Sequence, residues 1–287
     1  MRSIIVFTLC LGGAVALSGC ESTMSDEDVE RAVAGINVID ESNLNDVMIS
    51  SADPEEAVAY FARTHEQYPE RVDVQRGLAK SLVRAKRPAE AAKMWAMVVE
   101  SGEATPDDRV ALADALIRAG DWSKAEDVLD QIPPTFESYD RYRLEAMVAD
   151  ADKDWQRSDS FYETAVGLTT QPARTLNNWG FSKLSRGDFK GAEKLFLEAL
   201  TYDSAMFTAK NNLMMARGGQ RKYDVPAISM TQVERAQLLY TLALAAIKQG
   251  DVSMGKTLLE EAVDTHPQHF DEAVRALRVL EADVQRG

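Results

Sequence analysis

The sequence predicts an all-α fold, a right-handed solenoid of about six helical hairpins closed by a C-terminal helix. Three observations predict it. Large and small apolar residues recur at fixed places with a period of about 34 residues. A turn of glycine or lysine, then aspartate, then an apolar residue recurs within those blocks. Glycine and proline are scarce, 16 and 9 of 287 residues, and the alternation that marks strands is rare. A helical hairpin cannot bury both of its apolar faces alone, so hairpins of this kind must stack.

The chain opens with Met1 and Arg2, an apolar run over 4–17, and small residues leading to Leu17-Ser18-Gly19-Cys20. Residues 1–19 are therefore expected to be a signal peptide. Residues 20–37 read as a polar, acidic tether. Within it a short helix is expected over 25–34, with Ser25 as N-cap and Gly35 as its stop.

The repeat array is expected over 38–217. The block 173–206 shows the pattern most fully. Numbered from 1, it has Leu176 at position 4, Trp179 at 7, Gly180 at 8, Gly187 at 15, Phe189 at 17, Ala192 at 20, Phe196 at 24 and Ala199 at 27. The small residues allow close approach of two antiparallel helices, and the aromatics fill the space between them. The block 139–172 repeats this with Ala146 at 8, Trp155 at 17 and Tyr162 at 24. The block 106–138 has Ala113 at 8, Trp122 at 17 and Leu129 at 24, and Pro133-Pro134 should cut its second helix short. The block 72–105 has Ala79 at 8 and Trp95 at 24. In 38–71 only the second half keeps the pattern, with Ala57 at 20 and Phe61 at 24, so this repeat reads as degenerate.

The inner turns are Gly120-Asp121-Trp122, Lys153-Asp154-Trp155, Gly187-Asp188-Phe189 and Gly250-Asp251-Val252. Glycine suits the left-handed residue that ends the first helix. Each aspartate is expected to cap the second helix rather than to act as a catalytic acid.

After Met206 the period breaks. A first helix is expected over 207–217, ended by Gly218-Gly219, followed by an irregular linker over 218–230 and no second helix. In the region 231–287 a helix should open at Thr231 with a capping box to Glu234, a last repeat should span 236–269, and 270–285 should form a closing helix with a polar outer face.

The positions occupied in 173–206 resemble the tetratricopeptide repeat. In such stacks the first helices line the concave face, with positions 2, 5, 6, 9 and 12 pointing into it. That places Arg143, Arg174, Asn177, Asn178, Asn211 and Asn212 as candidate protein-binding residues. An amide both donates and accepts, so stacked asparagines suit the backbone of an extended peptide. Equally, asparagine is a tolerated polar residue on any exposed face. Trp95, Trp122, Trp155 and Trp179 occupy repeat core positions and are expected in the core.

Leu17-Ser18-Gly19-Cys20 resembles the bacterial lipobox, which implies cleavage before Cys20, lipidation of its sulfur and acylation of the new amine. More than one acyl chain anchors a protein stably. The segment from Arg217 to the closing helix, with the lipobox and the repeats, resembles TadD-type lipoproteins of the tight-adherence (Flp) pilus system. The resemblance implies a scaffold that assists assembly or localisation of the secretin channel. It places the protein in the bacterial envelope, facing the periplasm, with Glu21 leaning toward the outer membrane. A lipoprotein assisting outer-membrane β-barrel assembly, or a regulator of an envelope enzyme, are the alternatives.

The formal charge of −14 disfavours nucleic acid and anionic lipid surfaces. Cys10 and Cys20 are the only cysteines, so the repeats hold no disulfide or thiolate metal site. His65, His266 and His269 form no ligand pattern, and no metal or other cofactor is expected. No phosphate loop or nucleophile elbow is present, so neither catalysis nor a small-molecule substrate is expected.

Overall fold

The computed structural model describes residues 44–284. Cys20, the expected signal peptide and tether, and the helix expected over 25–34 lie outside the described residues. Among the described residues there are fourteen α-helices and no strand. Helix α1 spans 44–50. It is followed by α2 (Pro54–Gln67), α3 (Val72–Arg84), α4 (Pro88–Glu100), α5 (Pro106–Ala119), α6 (Trp122–Asp130) and α7 (Tyr139–Ala151). Then come α8 (Trp155–Gly167), α9 (Ala173–Ser185), α10 (Phe189–Tyr202), α11 (Phe207–Gly219), α12 (Gln232–Lys248), α13 (Val252–Thr265) and α14 (Asp271–Val284).

Six hairpins result: α1/α2, α3/α4, α5/α6, α7/α8, α9/α10 and α12/α13, each packed on its neighbour in sequence. First helices begin at Val72, Pro106, Tyr139, Ala173 and Phe207, where the repeat blocks begin. Helix α12 starts ahead of its block, because the Thr231–Glu234 capping box fixes its first turn. The large-to-small packing is steric. A Cβ at Gly180 would stand 2.6 Å from the ring of Phe196, which is fully buried.

The degenerate first repeat is formed. Its short α1 is held from outside, since the Arg84 guanidinium donates to the carbonyls of Met48, Ile49 and Ala52 at 3.1, 2.6 and 2.7 Å. These are the free acceptors at a helix end, which a cation satisfies well.

Two expectations are corrected. Of the four turn aspartates, Asp154 and Asp188 cap their helices, accepting from the Arg157 and Gly191 amides. Asp121 instead takes the Lys124 ammonium at 2.5 Å, and Asp251 takes Arg221 at 2.9 Å together with the Tyr223 hydroxyl. A nearby cation or phenol competes with the backbone for the same carboxylate.

The glycines Gly218 and Gly219 do not end α11, which runs through both, so the irregular linker begins at Gln220 rather than at 218. They permit close approach instead. A Cβ on Gly218 would meet Ala245 Cβ at 2.4 Å, and one on Gly219 would meet the Phe189 ring at 2.7 Å. The left-handed turn falls to Arg221, at φ 58°. The linker then lies where a second helix would stand, with Tyr223, Val225, Ile228 and Met230 packed on the C-terminal core. Met214, at position 8, is fully buried there, where α3, α5, α7, α9 and α12 carry glycine or alanine. Its bulk fills space that a second helix would otherwise occupy.

The apolar core forms two clusters, one reaching from Val58 to Val148 and one from Leu176 to Ala273. Polar groups join them across α7, α8 and α9. Asp150 accepts from the hydroxyls of Ser158, Tyr162 and Ser182 at 2.5, 3.0 and 2.7 Å. Asp159 accepts from Trp179 at 2.6 Å, Lys183 at 3.1 Å and Arg186 at 2.5 Å.

Candidate peptide-binding groove

The first helices present one side chain each at positions 2, 5, 6 and 9, and this face carries a chain of adjoining cavities. One of about 840 Å³ lies across α7, α9 and α11 and is lined by Arg143, Arg174, Asn177, Asn178 and Thr208 among others. Asn177, Asn178 and Thr208 are shared with a second, of about 570 Å³, whose walls include Trp122, Met147, Trp155 and Phe181. At the other end Tyr139, Asp140 and Arg143 are shared with a third, of about 500 Å³, lying between α5 and α7.

The candidate residues divide into two groups. Asn212 is buried, contrary to its placement on the exposed face, and its amide donates to the Asn177 carbonyl at 3.1 Å. Asn211 accepts from the Thr241 hydroxyl at 2.7 Å. Both bonds follow one rule: position 5 of one first helix meets position 6 of the next. These three asparagines therefore tie neighbouring helices together before any ligand arrives. Arg143 reaches Asp140 at 3.2 Å and Asp114 at 3.5 Å, and Asp114 also holds Arg118 at 2.5 Å. Asn178 and Arg174 line the cavity of about 840 Å³ and bond to no other described side chain, and Arg174 is exposed.

The tryptophans divide likewise. Trp95 is buried in the core. Trp179 is half-buried against the C-terminal core and donates to Asp159, Trp122 is half-buried against the N-terminal core and also walls the cavity, and Trp155 is a half-buried cavity wall rather than core. As the first residue of its second helix, position 17 projects toward the neighbouring first helices. The sharpest apolar feature is position 9. Phe181, Met215 and Leu244, one from each of three successive first helices, are 52%, 41% and 44% exposed. Reading position 9 along the repeats would have found this row. Asp150 floors the aromatic cavity and, with burial as the larger cause, pushes the Tyr162 phenol well above its ordinary pKa.

His266, half-buried, bonds to Gln268 and His269, exposed, to Asp271, while His65 lies half-buried in α2. No cluster of three or more metal-ligating side chains occurs among the described residues. No helix among them is long and apolar enough to cross a membrane.

Models of the tetratricopeptide repeat match residues 48–107 and 237–269. No curated protein matches the chain. Among solved structures, the APC/C hetero-tetramer Cut9–Hcn1 is similar at a TM-score of 0.57 and 13% identity, over 82% of this chain and 48% of that one. A tetratricopeptide repeat protein from Parabacteroides merdae is similar at a TM-score of 0.56 and 10% identity, over 83% of this chain and 96% of that one. Human IFIT1 is similar at a TM-score of 0.52 and 13% identity, over 81% of this chain and 61% of that one. The chain thus spans about half the length of the first of these.

Proposed function

We propose that this tetratricopeptide-repeat solenoid, a protein-interaction scaffold by its fold, is an envelope lipoprotein that assists assembly of a tight-adherence pilus. The observation that carries the scaffold reading is the continuous groove across α5 to α11. Asn178 and Arg174, which have no side-chain partner among the described residues, and the half-exposed Phe181 suit an extended segment of a partner protein. The narrower reading is supported by sequence. Leu17-Ser18-Gly19-Cys20 has the form of a lipobox, and the stretch after Arg217 resembles TadD-type lipoproteins.

On this reading lipid and groove act in series. Acyl chains on Cys20 bring the scaffold to the outer membrane, facing the periplasm. The groove holds a tail or linker of the secretin, whose apolar surface would otherwise be exposed on the way. The experiment has two arms. Wild-type cells should incorporate labelled palmitate into the protein, and Cys20→Ala should abolish it. A deletion strain should lose secretin multimers at the outer membrane, and with them piliation. Normal multimers in that strain overturn the pilus reading, and unchanged palmitate labelling of Cys20→Ala overturns the anchor.

A further inference from the structure

Resting on the reading of this face as a peptide groove, we propose the chemistry of its occupant. It is a segment with an aromatic or large aliphatic anchor and a lysine or arginine about four to six residues away. The anchor enters the cavity walled by Trp122, Met147, Trp155 and Phe181. The cation faces Asp107.

The groove is graded along its length. At the α9 end its most prominent side chain is apolar, since Phe181 is 52% exposed and stands beside two indoles. A solvated ring of that kind is where a partner gains most by covering apolar surface. At the α5 end the chemistry changes. The cavity between α5 and α7 is lined by three carboxylates, Asp107, Asp114 and Asp140, against one guanidinium, Arg143. Asp107 is exposed and has no ion pair among the described residues. Arg118 and Arg143 already pair with Asp114, and Arg143 also reaches Asp140, which leaves Asp107 as the carboxylate without a cation. A cation is therefore the complement missing at this end, and the chain's formal charge of −14 steers basic segments toward it.

The spacing follows from the helix stack. Neighbouring helices pack about 8–10 Å apart, so α9 and α5, two first helices apart, are separated by roughly 16–20 Å. An extended chain covers about 3.3–3.6 Å per residue, which gives the separation of anchor and cation. Between them the ligand backbone passes Asn178, whose amide is free to donate and accept.

The test is selection of random dodecapeptides on phage against the full chain in detergent. The best binder is then made as a fluorescent peptide and titrated by anisotropy. Enriched sequences should combine Phe, Tyr, Trp, Leu or Met with Lys or Arg at the stated spacing. Phe181→Ala should weaken the peptide by about tenfold or more. Asp107→Asn should weaken it by about two- to fivefold, and more at low salt. Both side chains are exposed, so the melting temperatures of the two variants should match the parent. Acidic residues enriched at that spacing, or Asp107→Asn binding as tightly as the parent, overturn the assigned chemistry and leave the groove reading intact. No enrichment, or binding indifferent to both Phe181→Ala and Asn178→Ala, overturns the groove reading itself.

Discussion

Asn212 and Asn178 occupy the same repeat position, 6, in successive blocks, and their surroundings differ. Asn212 is 8% exposed and donates to Asn177, whereas Asn178 faces the cavity. Replacing Asn212 by alanine leaves the Asn177 carbonyl without its donor in a half-buried seam. The loss should be about 1–3 kcal/mol, read from the denaturant midpoint. Asn178→Ala removes no internal bond and should change stability by less than about 0.5 kcal/mol. Equal stabilities for the two variants would remove the distinction. The sequence placed both asparagines on the right helices and on the same face. It could not show which amide meets a neighbour, because that depends on how adjacent first helices are offset.

At the scale of elements, the irregular linker is held by charge more than by apolar contact. Glu193 on α10 is 9% exposed and receives Arg217 at 2.5 Å, Gln220 at 2.7 Å and Lys222 at 2.8 Å. Glu193→Ala would leave the nearly buried Arg217 guanidinium with Asp224 alone and release the start of the linker. It should cost about 1–3 kcal/mol and speed proteolytic cleavage within 220–230; a cleavage rate equal to the parent's would show that the apolar contacts suffice. Helix α1 packs on the core through Met48 and Ile49, and one distant side chain holds its end. Arg84→Ala removes all three donors to its last carbonyls. Amide hydrogen exchange over 44–50 should then rise sharply while α3 and α4 stay protected. Unchanged exchange in α1 would assign its order to Met48 and Ile49 packing instead. The poor apolar pattern of 44–50 is why the sequence left this helix in doubt, since its support comes from a residue about one repeat away.

Across the whole molecule, two apolar clusters meet at a polar seam, where Asp150 and Asp159 each gather three donors. In a stack coupled only between neighbours, a weakened seam divides the folding unit. Asp150→Ala with Asp159→Ala should turn one calorimetric transition into two, and a single sharp transition in the double variant would place the coupling elsewhere. Acid should act on the same kind of group. Burial alone would raise the carboxyls of Asp108, Asp159 and Glu193, yet the hydrogen bonds they accept overcome it and hold all three below the ordinary range. With folded values depressed, the unfolded chain binds more protons. Their stability is full above the unfolded-state range near about 4 and is lost as pH falls through the folded values. The melting temperature should hold from about pH 7 to 5 and fall below about 4. A melting temperature that rises on acidification contradicts this.

The sequence by itself determined the class of fold, the register of the repeats and the first residue of most helices. Those follow from local facts: the spacing of large and small apolar residues, prolines at helix starts and capping residues at their ends. The period of about 34 residues even marked where a second helix is missing. Only the tertiary structure decided that Gly218 and Gly219 lie inside a helix and that Asp251 serves the linker rather than its own turn. It also decided that Trp122 and Trp155 wall a cavity and that three of the four asparagines bond inside the stack. The physical reason is common to all of these. A periodic pattern fixes which face of a helix a residue occupies, while its partner is set by the neighbouring hairpin, whose offset and approach the residue's own spacing does not encode.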